Sequence, residues 1–265
     1  MSYRLSPDES VTEGLRRILR EEIEFAIAQL AIRTPARRDE AIHEARKSVK
    51  KLRGVVRLVK DKAGNRALRD IGRSLSKFRD AAALVETVDA LCKACAGDPR
   101  LKAVASVRRE LVRRAKAAGH RKEKDAAAKQ ASGALGKFAE MAAGDLAKLS
   151  PGLRKTYREG RKALARARSN PTPENLHELR KRVKDHWYHV RLLEDLDPDR
   201  YQAREKPLND MQEWLGDDHN LFLLDEAMAS DPLSFPGRNE VSALIAARRG
   251  KLCEDALHLG KRLYE

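Results

Sequence analysis

The stretch HEARKSVKKLRGVVRLVK, residues 43–60, decides the fold because its basic and apolar residues separate when it is wound into a helix. At about 100° per residue, five of its cationic side chains fall within about 80° of His43: Arg46, Lys47, Lys50, Arg53 and Arg57. The apolar residues fall on the opposite side: Ala45, Val49, Leu52, Val56 and Val59. The stretch therefore predicts an amphipathic helix with one core face and one basic face.

The same pattern returns 134 residues later as HELRKRVKDHWYHVRLLE, residues 177–194. Its shared face carries His177, Arg180, Lys181, Lys184, Tyr188 and Arg191, with Leu179, Val183, Val190 and Leu193 behind it. A weaker match follows downstream at an offset of 140, where LSKFRDAAAL from Leu75 aligns with LGDDHNLFLL from Leu215. Self-similarity at fixed offsets predicts two copies of one helical unit.

Proline and glycine clusters divide the chain into predicted helices, four in each half. The first half, 1–120, is predicted to hold helices 8–32, 38–61, 65–95 and 99–118. The second half, 151–265, is predicted to hold helices 151–168, 173–195, 199–229 and 238–263, after a connecting helical segment at 121–150. Because no stretch alternates like a strand, the predicted class is all-α.

The charge balance points to an anionic partner, because the formal net charge is +15 and summed like charge attracts polyanions. A basic helix face is ordinarily just solvated, but solvated faces place Glu among their Lys residues, and these two faces carry almost no acid. We therefore favour anion binding over simple solvation. Further cations that could support it are Arg16, Arg17, Arg20, Arg69, Arg73, Lys77, Arg108, Arg109, Arg113 and Arg114.

The sequence gives little indication of catalysis, a metal site or a cofactor. HEARK and HELRK begin like the zinc-protease pattern H-E-x-x-H, but a lysine, which repels zinc, stands at the second ligand position. Cys92 and Cys95 lack the second pair that a zinc site needs, so reduced thiols are expected. Asp217 and Asp218 are interpreted as a helix cap. With no phosphate loop and no nucleophile elbow, we expect a protein that is not an enzyme.

The histidines fall into three groups. His43 and His177 could donate a ring N–H to an anion, or could simply begin a helix. If they act as imidazolium donors, affinity for an anion should rise as the pH falls towards about 6. His186 and His189 are expected in the core or on its flank, and His120, His219 and His258 are assigned no role.

The chain shows no sign of a membrane span, because no apolar run approaches the roughly 20 residues that a spanning helix needs. Its first residues, MSYRLSPDES, lack a hydrophobic signal core. A cytoplasmic location is expected.

The paired His-x-x-Arg-Lys-x-x-Lys motif, HEARKSVK and HELRKRVK, resembles the two halves of the CHAD domain, the conserved histidine α-helical domain, over nearly the whole chain. The resemblance implies one domain over 1–265, built as two four-helix bundles about a pseudo-twofold axis with a central basic groove or pore. It also implies a free-standing, non-catalytic binder of inorganic polyphosphate, for which association with polyphosphate or other granules is left open. The residues that match the family's basic motif are His43, Arg46, Lys47, Lys50, Arg53, Arg57, His177, Arg180, Lys181, Lys184 and Arg191, with Tyr188 as a supporting residue.

Two departures from the family pattern lie in the second half. His186-Trp187 replaces the usual Leu-Arg, and Asn220 stands where the first half has Asp80. These departures leave open whether the two halves contribute equally.

A general polyanion-binding or nucleic-acid-binding protein is the main alternative. Single-strand binders stack bases on aromatic side chains, and Tyr188 is the one aromatic residue on either basic face. Helices that read duplex DNA carry Asn or Gln among their cations, and neither motif helix supplies them in that way. A polyphosphate hydrolase, a third possibility, would need metal-holding carboxylates facing the cations.

Overall fold

The computed structural model describes residues 3–76, 80–117, 121–141 and 149–265, and this part of the chain is helical without strands. Its α-helices are α1 Val11–Ala31, α2 Pro35–Leu58, α3 Lys62–Ser74, α4 Asp80–Ala94, α5 Leu101–Ala117, α6 Arg121–Met141, α7 Ser150–Ser169, α8 Pro173–Leu193, α9 Pro198–Ser230 and α10 Arg238–Tyr264. The all-α prediction is confirmed.

Local sequence signals set several helix ends. Ser10 and Glu13 form a capping box at the start of α1, in which the Ser10 hydroxyl accepts from the Glu13 N–H at 3.2 Å. Pro35 opens α2, where its missing N–H costs nothing. Lys60, in a left-handed conformation at φ 61°, ends that helix, and Asp61 caps α3 by accepting from the Gly64 N–H at 2.9 Å.

The predicted helix 65–95 is wrong, because the chain forms two helices there, α3 and α4. The Ser74 hydroxyl donates to the carbonyl of Ile71, and the Ser76 hydroxyl to that of Gly72, each at 2.8 Å. Serine hydroxyls that bond to nearby carbonyls compete with helix continuation. The predicted breaks rest on clusters of proline and glycine, and no such cluster marks this serine-based end.

The chain divides into two compact units. Unit 1 consists of Met1–Phe78, His120–Glu159 and Lys184–Leu208, and unit 2 consists of Arg79–Gly119, Gly160–Val183 and Asn209–Glu265. In unit 1, α1 packs on α2 and α6, and α3 packs on the same two helices, so these four helices close a ring of neighbours. In unit 2, α5 packs on α4 and α10. Residues of both predicted repeat halves thus occur in each unit.

The segment predicted as a connector supplies the fourth helix of the unit 1 ring. Along α6, Ala128, Ala131, Leu135 and Phe138 are buried in the unit 1 core. The sequence analysis expected helix 99–118 in that place, but this segment, as α5, belongs to unit 2. The predicted pseudo-twofold axis and central groove stay predictions.

The apolar faces of the two motif helices are buried as predicted. On α2, Ala45, Val49, Leu52 and Val56 are at most 3% exposed. On α8, Leu179, Val183, Val190 and Leu193 are at most 5% exposed. The basic side of each helix is thereby directed away from these core contacts.

At Gly54, α2 approaches α8 closely. A Cβ atom placed on Gly54 would lie 3.1 Å from Tyr188 Cβ and 2.7 Å from Tyr3 Oη. The carbonyl of Gly54 also contacts His189 Nε2 at 2.9 Å. Glycine is used here for close approach of two helices, which holds the basic residues of α2 beside the C-terminal part of α8 within unit 1.

Candidate functional site

The basic motif of the first repeat lies entirely on α2 in unit 1. Its six predicted residues, His43, Arg46, Lys47, Lys50, Arg53 and Arg57, are all at least partly exposed. We call this set the first basic face. Its accessibility is what binding of a large anion requires.

Arg46 is held at the end of α3. Its Nη2 donates to the Ser76 hydroxyl at 3.3 Å, and that hydroxyl donates onward to the Gly72 carbonyl at 2.8 Å. The contact places a guanidinium beside the turn that ends α3.

Arg53 and Arg57 share one amide oxygen. Their Nε atoms donate to Asn65 Oδ1 at 3.3 Å and 3.0 Å, and Arg57 also forms an ion pair with Asp185. Asn65 therefore fixes the two guanidinium groups side by side.

The surroundings of Arg53 are strongly cationic. Burial, and then the nearby charges of Arg57, Arg69 and Arg73, lower the pKa of Arg53 to about 10, although Asp185 acts in the opposite direction. A guanidinium is displaced from its usual pKa only by substantial repulsion and desolvation. An anion bound at this position would relieve that repulsion.

On each motif helix, one acid pairs with a lysine of the motif. Glu44 Oε1 lies 2.8 Å from Lys47 Nζ, and Glu178 Oε2 lies 2.5 Å from Lys181 Nζ. The two pairs occupy equivalent positions in the repeat. Their three-residue spacing lets the carboxylate reach back to the lysine from the flank of the face.

The basic motif of the second repeat is divided between the units. His177, Arg180 and Lys181 belong to unit 2, whereas Lys184 and Arg191 belong to unit 1. Within unit 1, the Lys184 ammonium lies 5.9 Å from the centre of the Tyr188 ring, and the Arg191 guanidinium lies 4.9 Å from that of Trp187. These two cations are packed on aromatic rings.

Tyr188, predicted on the basic face, is instead a core residue and is 6% exposed. Its ring meets Tyr3 edge to face, with centroids 5.8 Å apart, and its Cβ faces Gly54. The prediction of an exposed aromatic residue on this face is wrong, because the close approach of α2 covers that side of α8.

A second cluster forms in unit 2 around His177 and Arg180. The rings of His177 and His219 stack with centroids 4.1 Å apart and planes tilted by 38°. The Arg180 guanidinium packs over Gly216, where an added Cβ would lie 3.0 Å from its Nη2. Nearby, Arg249 Nε donates to Asp218 Oδ1 at 2.8 Å. We call His177, Arg180, Lys181 and His219 the second basic face.

Both stacked imidazoles are held in the neutral form. Burial lowers the pKa of His219 to about 4, and His177, Arg180 and Arg249 add to the effect. Burial, Lys181 and Arg180 likewise lower the pKa of His177, with Glu178 acting against them. In the free protein near neutral pH, His177 is therefore not the imidazolium donor that the sequence analysis considered.

The interpretation of Asp217 and Asp218 as a cap is wrong. Both residues lie inside α9, which runs from Pro198 through Pro207 to Ser230 without ending. Asp218 is 2% exposed and is paired with Arg249. A buried carboxylate in mid-helix needs such a partner, which sequence spacing alone does not reveal.

The prediction that His186 and His189 lie in the core or on its flank is confirmed. They are 4% and 0% exposed, and burial lowers the pKa of His186 to about 3. His186 meets the Tyr157 ring edge to face at 5.9 Å. These two histidines belong to the core.

Of the supporting cations on α1, Arg17 is engaged in holding the N-terminal segment. It donates to Glu9 through Nε at 3.0 Å and Nη2 at 2.6 Å, and to the Arg4 carbonyl at 2.9 Å. Arg16 and Arg20 border an apolar groove whose floor includes Leu19. Arg16, Arg17 and Arg20 thus lie among residues outside the first basic face.

The supporting cations on α5 belong to unit 2 and are mostly paired. Arg108 binds Asp89 through two nitrogens at 2.5 Å and 3.3 Å. Arg113 and Arg114 both bind Glu110, and Arg109 is exposed. Such surface pairs reduce the charge available to an outside anion.

On α3, Arg69 and Arg73 are 43% and 72% exposed and contact Asp70 at 3.2 Å and 3.8 Å. Both contribute to the repulsion felt by Arg53, so they extend the first basic face. Lys77, the remaining predicted cation, lies outside the described residues, as does the side chain of Asp80.

The sequence analysis missed four contributors: Asn65, Asp185, His219 and Arg249. One available signal was the offset of 140, which aligns Gly216 with Ser76 and His219 with Arg79. The contacts agree with the first alignment, since Arg46 meets Ser76 and its equivalent Arg180 meets Gly216.

Among the described residues, no group of three or more His, Cys, Asp or Glu side chains is arranged to hold a metal ion. Cys92, Cys95 and Cys253 form no disulfide. The described helices include none with the length and apolar composition required to cross a bilayer.

Comparison with known structures agrees with this architecture. The chain is similar to the crystal structure of the CHAD domain from the plant Ricinus communis, with 17% identity, a TM-score of 0.61, and coverage of 100% of this chain and 96% of that one. It is also similar to PptA from Streptomyces chartreusis, with 15% identity, a TM-score of 0.58, and coverage of 96% and 98%. At these identities the likeness shows the fold alone.

No curated protein matches the sequence. A family model described as the CHAD domain matches residues 21–229, which is well over half of the chain. The motif resemblance and the helical fold agree with that match, and the chain belongs to the CHAD domain family.

Proposed function

We propose that this protein binds inorganic polyphosphate through its basic helix faces and catalyses no reaction on it. The observation that carries the proposal is the group of cations around Arg53, whose pKa is lowered to about 10 by burial and then by the charges of Arg57, Arg69 and Arg73. Crowded cations store unfavourable energy that a chain of phosphates releases on binding. The family resemblance implies the same ligand.

The first basic face suits a flexible polyanion better than a shaped small molecule. Its cations extend along α2 from Arg46 to Arg57 and continue onto Arg69 and Arg73 of α3. Binding would come from many phosphate contacts with release of counterions, as on nucleic-acid backbones. Phosphate contacts need only Lys, Arg and N–H donors, and these are what the face offers.

Nucleic acid remains the competing ligand, because it presents the same phosphates. Burial of Tyr188 removes the one aromatic residue that the motif faces offered for base stacking. The guanidinium groups of Arg191 and Arg200 lie over the rings of Trp187 and Tyr201, 4.9 Å and 5.7 Å from their centres. These observations favour a ligand without bases.

Isothermal titration of the protein with long-chain polyphosphate at physiological ionic strength tests the proposal, with single-stranded RNA of equal total phosphate as competitor. We expect binding that weakens as salt rises, with a slope of about −0.7 per phosphate neutralised in a plot of log K against log salt concentration. Displacement by RNA at equal phosphate would favour a general polyanion binder instead.

A charge-matched control guards against nonspecific attraction. Lys251 on α10 is 59% exposed, is paired with Asp255 at 2.9 Å, and is not part of either basic face. Lys251→Glu should leave polyphosphate affinity within about twofold, whereas Lys50→Glu should lower it about tenfold. Equal losses in both variants would contradict a localised site.

A further inference from the structure

The second basic face differs chemically from the first because two of its members are imidazoles in ring contact. His177 projects from α8 and His219 from α9, and their centroids are 4.1 Å apart. The first basic face contains one histidine, His43, among arginines and lysines. A histidine can change its charge near neutral pH, whereas an arginine cannot.

The charged groups around the pair disfavour protonation when no ligand is bound. Besides burial, Arg180 and Lys181 of α8 lower the pKa of His177. His177 and Arg180 of α8 and Arg249 of α10 do the same to His219 of α9. The nearby acids are engaged elsewhere: Glu178 pairs with Lys181 and Arg182, and Asp218 pairs with Arg249. Asp217 lies near Arg180 and Arg248.

One ring nitrogen is also left without a partner. The Nδ1 atom of His177 is buried and has no hydrogen-bond partner among the described residues. A buried ring nitrogen in this position either accepts a bond from a ligand or, when protonated, donates one. The geometry therefore offers a site for a proton as well as for an anion.

We infer that His177 and His219 form a proton-linked phosphate subsite, at which a bound phosphate and one proton from solution enter together. The inference rests on the proposed function and extends it to the regulation of that binding. A phosphate oxygen beside the pair adds negative charge that favours an imidazolium, and the imidazolium N–H then donates to the oxygen. Because the rings are in contact, a second proton is opposed by the first, so the pair takes up about one.

The sign of the pH dependence follows from linkage. If the ligand-bound pair has a higher pKa than the free pair, binding takes up protons between those two values, and affinity rises as the pH falls through that window. Each proton taken up changes the affinity by at most about tenfold per pH unit. The affinity of the subsite for phosphate is thus low at a pH above the pKa of the ligand-bound pair, and it rises in mild acid.

The repeat locates this property in the second copy. At the offset of 140, His219 aligns with Arg79, so the first copy has a permanent cation in the sequence where the second has a titratable group. Proton linkage is accordingly expected at the second basic face and not at the first.

Proton uptake can be measured directly by titrating long-chain polyphosphate into the protein at pH 6.0 in two buffers with different ionisation enthalpies. Internal phosphates of a long chain stay ionised at this pH, so the ligand itself contributes little to the proton balance. The difference in observed heat gives the protons taken up per binding event. We expect between about 0.5 and 1 proton at pH 6.0 and a value near zero at pH 8.0.

Five variants assign the proton uptake to individual histidines. His177→Gln and His219→Gln should each reduce it by more than half, because either removes one ring of the pair. His43→Gln in the first repeat should keep it, and His258→Gln, an exposed histidine of α10, should change neither uptake nor affinity. His219→Arg should remove the uptake and raise affinity at pH 8.0, because it installs a permanent charge.

The outcomes separate the two proposals. Polyphosphate binding without proton uptake, or with uptake that persists in both His177→Gln and His219→Gln, overturns the proton-linked subsite and leaves the proposed function standing. Absence of polyphosphate binding at both pH values overturns both.

Discussion

Arg46 meets Ser76 at the end of α3, and its repeat equivalent Arg180 meets Gly216 inside α9. The same residue of the motif is thus placed against the same position of the following segment, once in unit 1 and once in unit 2. The surroundings then diverge: Arg53, Arg57, Arg69 and Arg73 gather in the first copy, and His177, His219 and Arg249 in the second. Arg46 and Arg180 thus make equivalent contacts, but permanent cations gather near the first and titratable histidines near the second.

Breaking the buried ion pair of Asp218 and Arg249 should have the largest effect, a loss of stability. Asp218→Ala leaves Arg249 without its partner and should lower the free energy of unfolding by about 2 to 3 kcal/mol, less than for a fully buried pair because Arg249 is 22% exposed. Asp217→Ala, the adjacent residue, should change stability by no more than about 0.5 kcal/mol. Urea denaturation measures both, and similar losses in the two variants would contradict the assignment of Asp218 alone to the core.

Charge reversal at equivalent lysines tests whether the copies contribute unequally. Lys50→Glu should lower polyphosphate affinity about tenfold, or about 1.4 kcal/mol, because it acts beside the crowded cations of α2. Lys184→Glu should lower it only about threefold, because Lys184 lies on the Tyr188 ring and next to Asp185. Titration calorimetry gives the affinities, and thermal melts check that both variants fold. A larger loss at Lys184 would reverse the ranking of the copies.

Replacing Arg53 should have opposite effects on stability and on polyphosphate binding. Arg53→Met removes a partly buried charge from a cationic surrounding and should stabilise the free protein by up to about 1 kcal/mol, after allowance for its lost bond to Asn65. The same change should weaken polyphosphate binding severalfold. Its repeat equivalent is Trp187, so the second copy has no such conflict. A destabilised Arg53→Met variant would mean that the arginine is structural.

The sequence predicted the features that depend on helical periodicity. The core faces of α2 and α8, the exposure of the first basic face and the burial of His186 and His189 all follow from residues spaced along one helix. Periodicity does not show which helix covers another, and this explains the error at Tyr188. By helical angle Tyr188 lies on the basic side of α8, but Gly54 of α2 has no side chain to keep the two helices apart.

The other differences also come from contacts between distant segments. The apolar stripe of α6 could be recognised as helical, but its place beside α1 and α3 depends on tertiary packing. Asp218 finds Arg249 31 residues away, and Arg57 finds Asp185 128 residues away. No local pattern encodes these pairs.

The contact of Gly54 with Tyr188 joins two positions that are 134 residues apart, which is the offset of the sequence repeat. In an isologous dimer a residue on the symmetry axis meets its own copy. A dimer of two first halves would bring glycine against glycine and leave empty the space that the tyrosine ring fills. Two second halves would force two rings into the space of one. We therefore predict that neither half forms this helix contact with a second copy of itself, because the contact needs one glycine and one tyrosine ring.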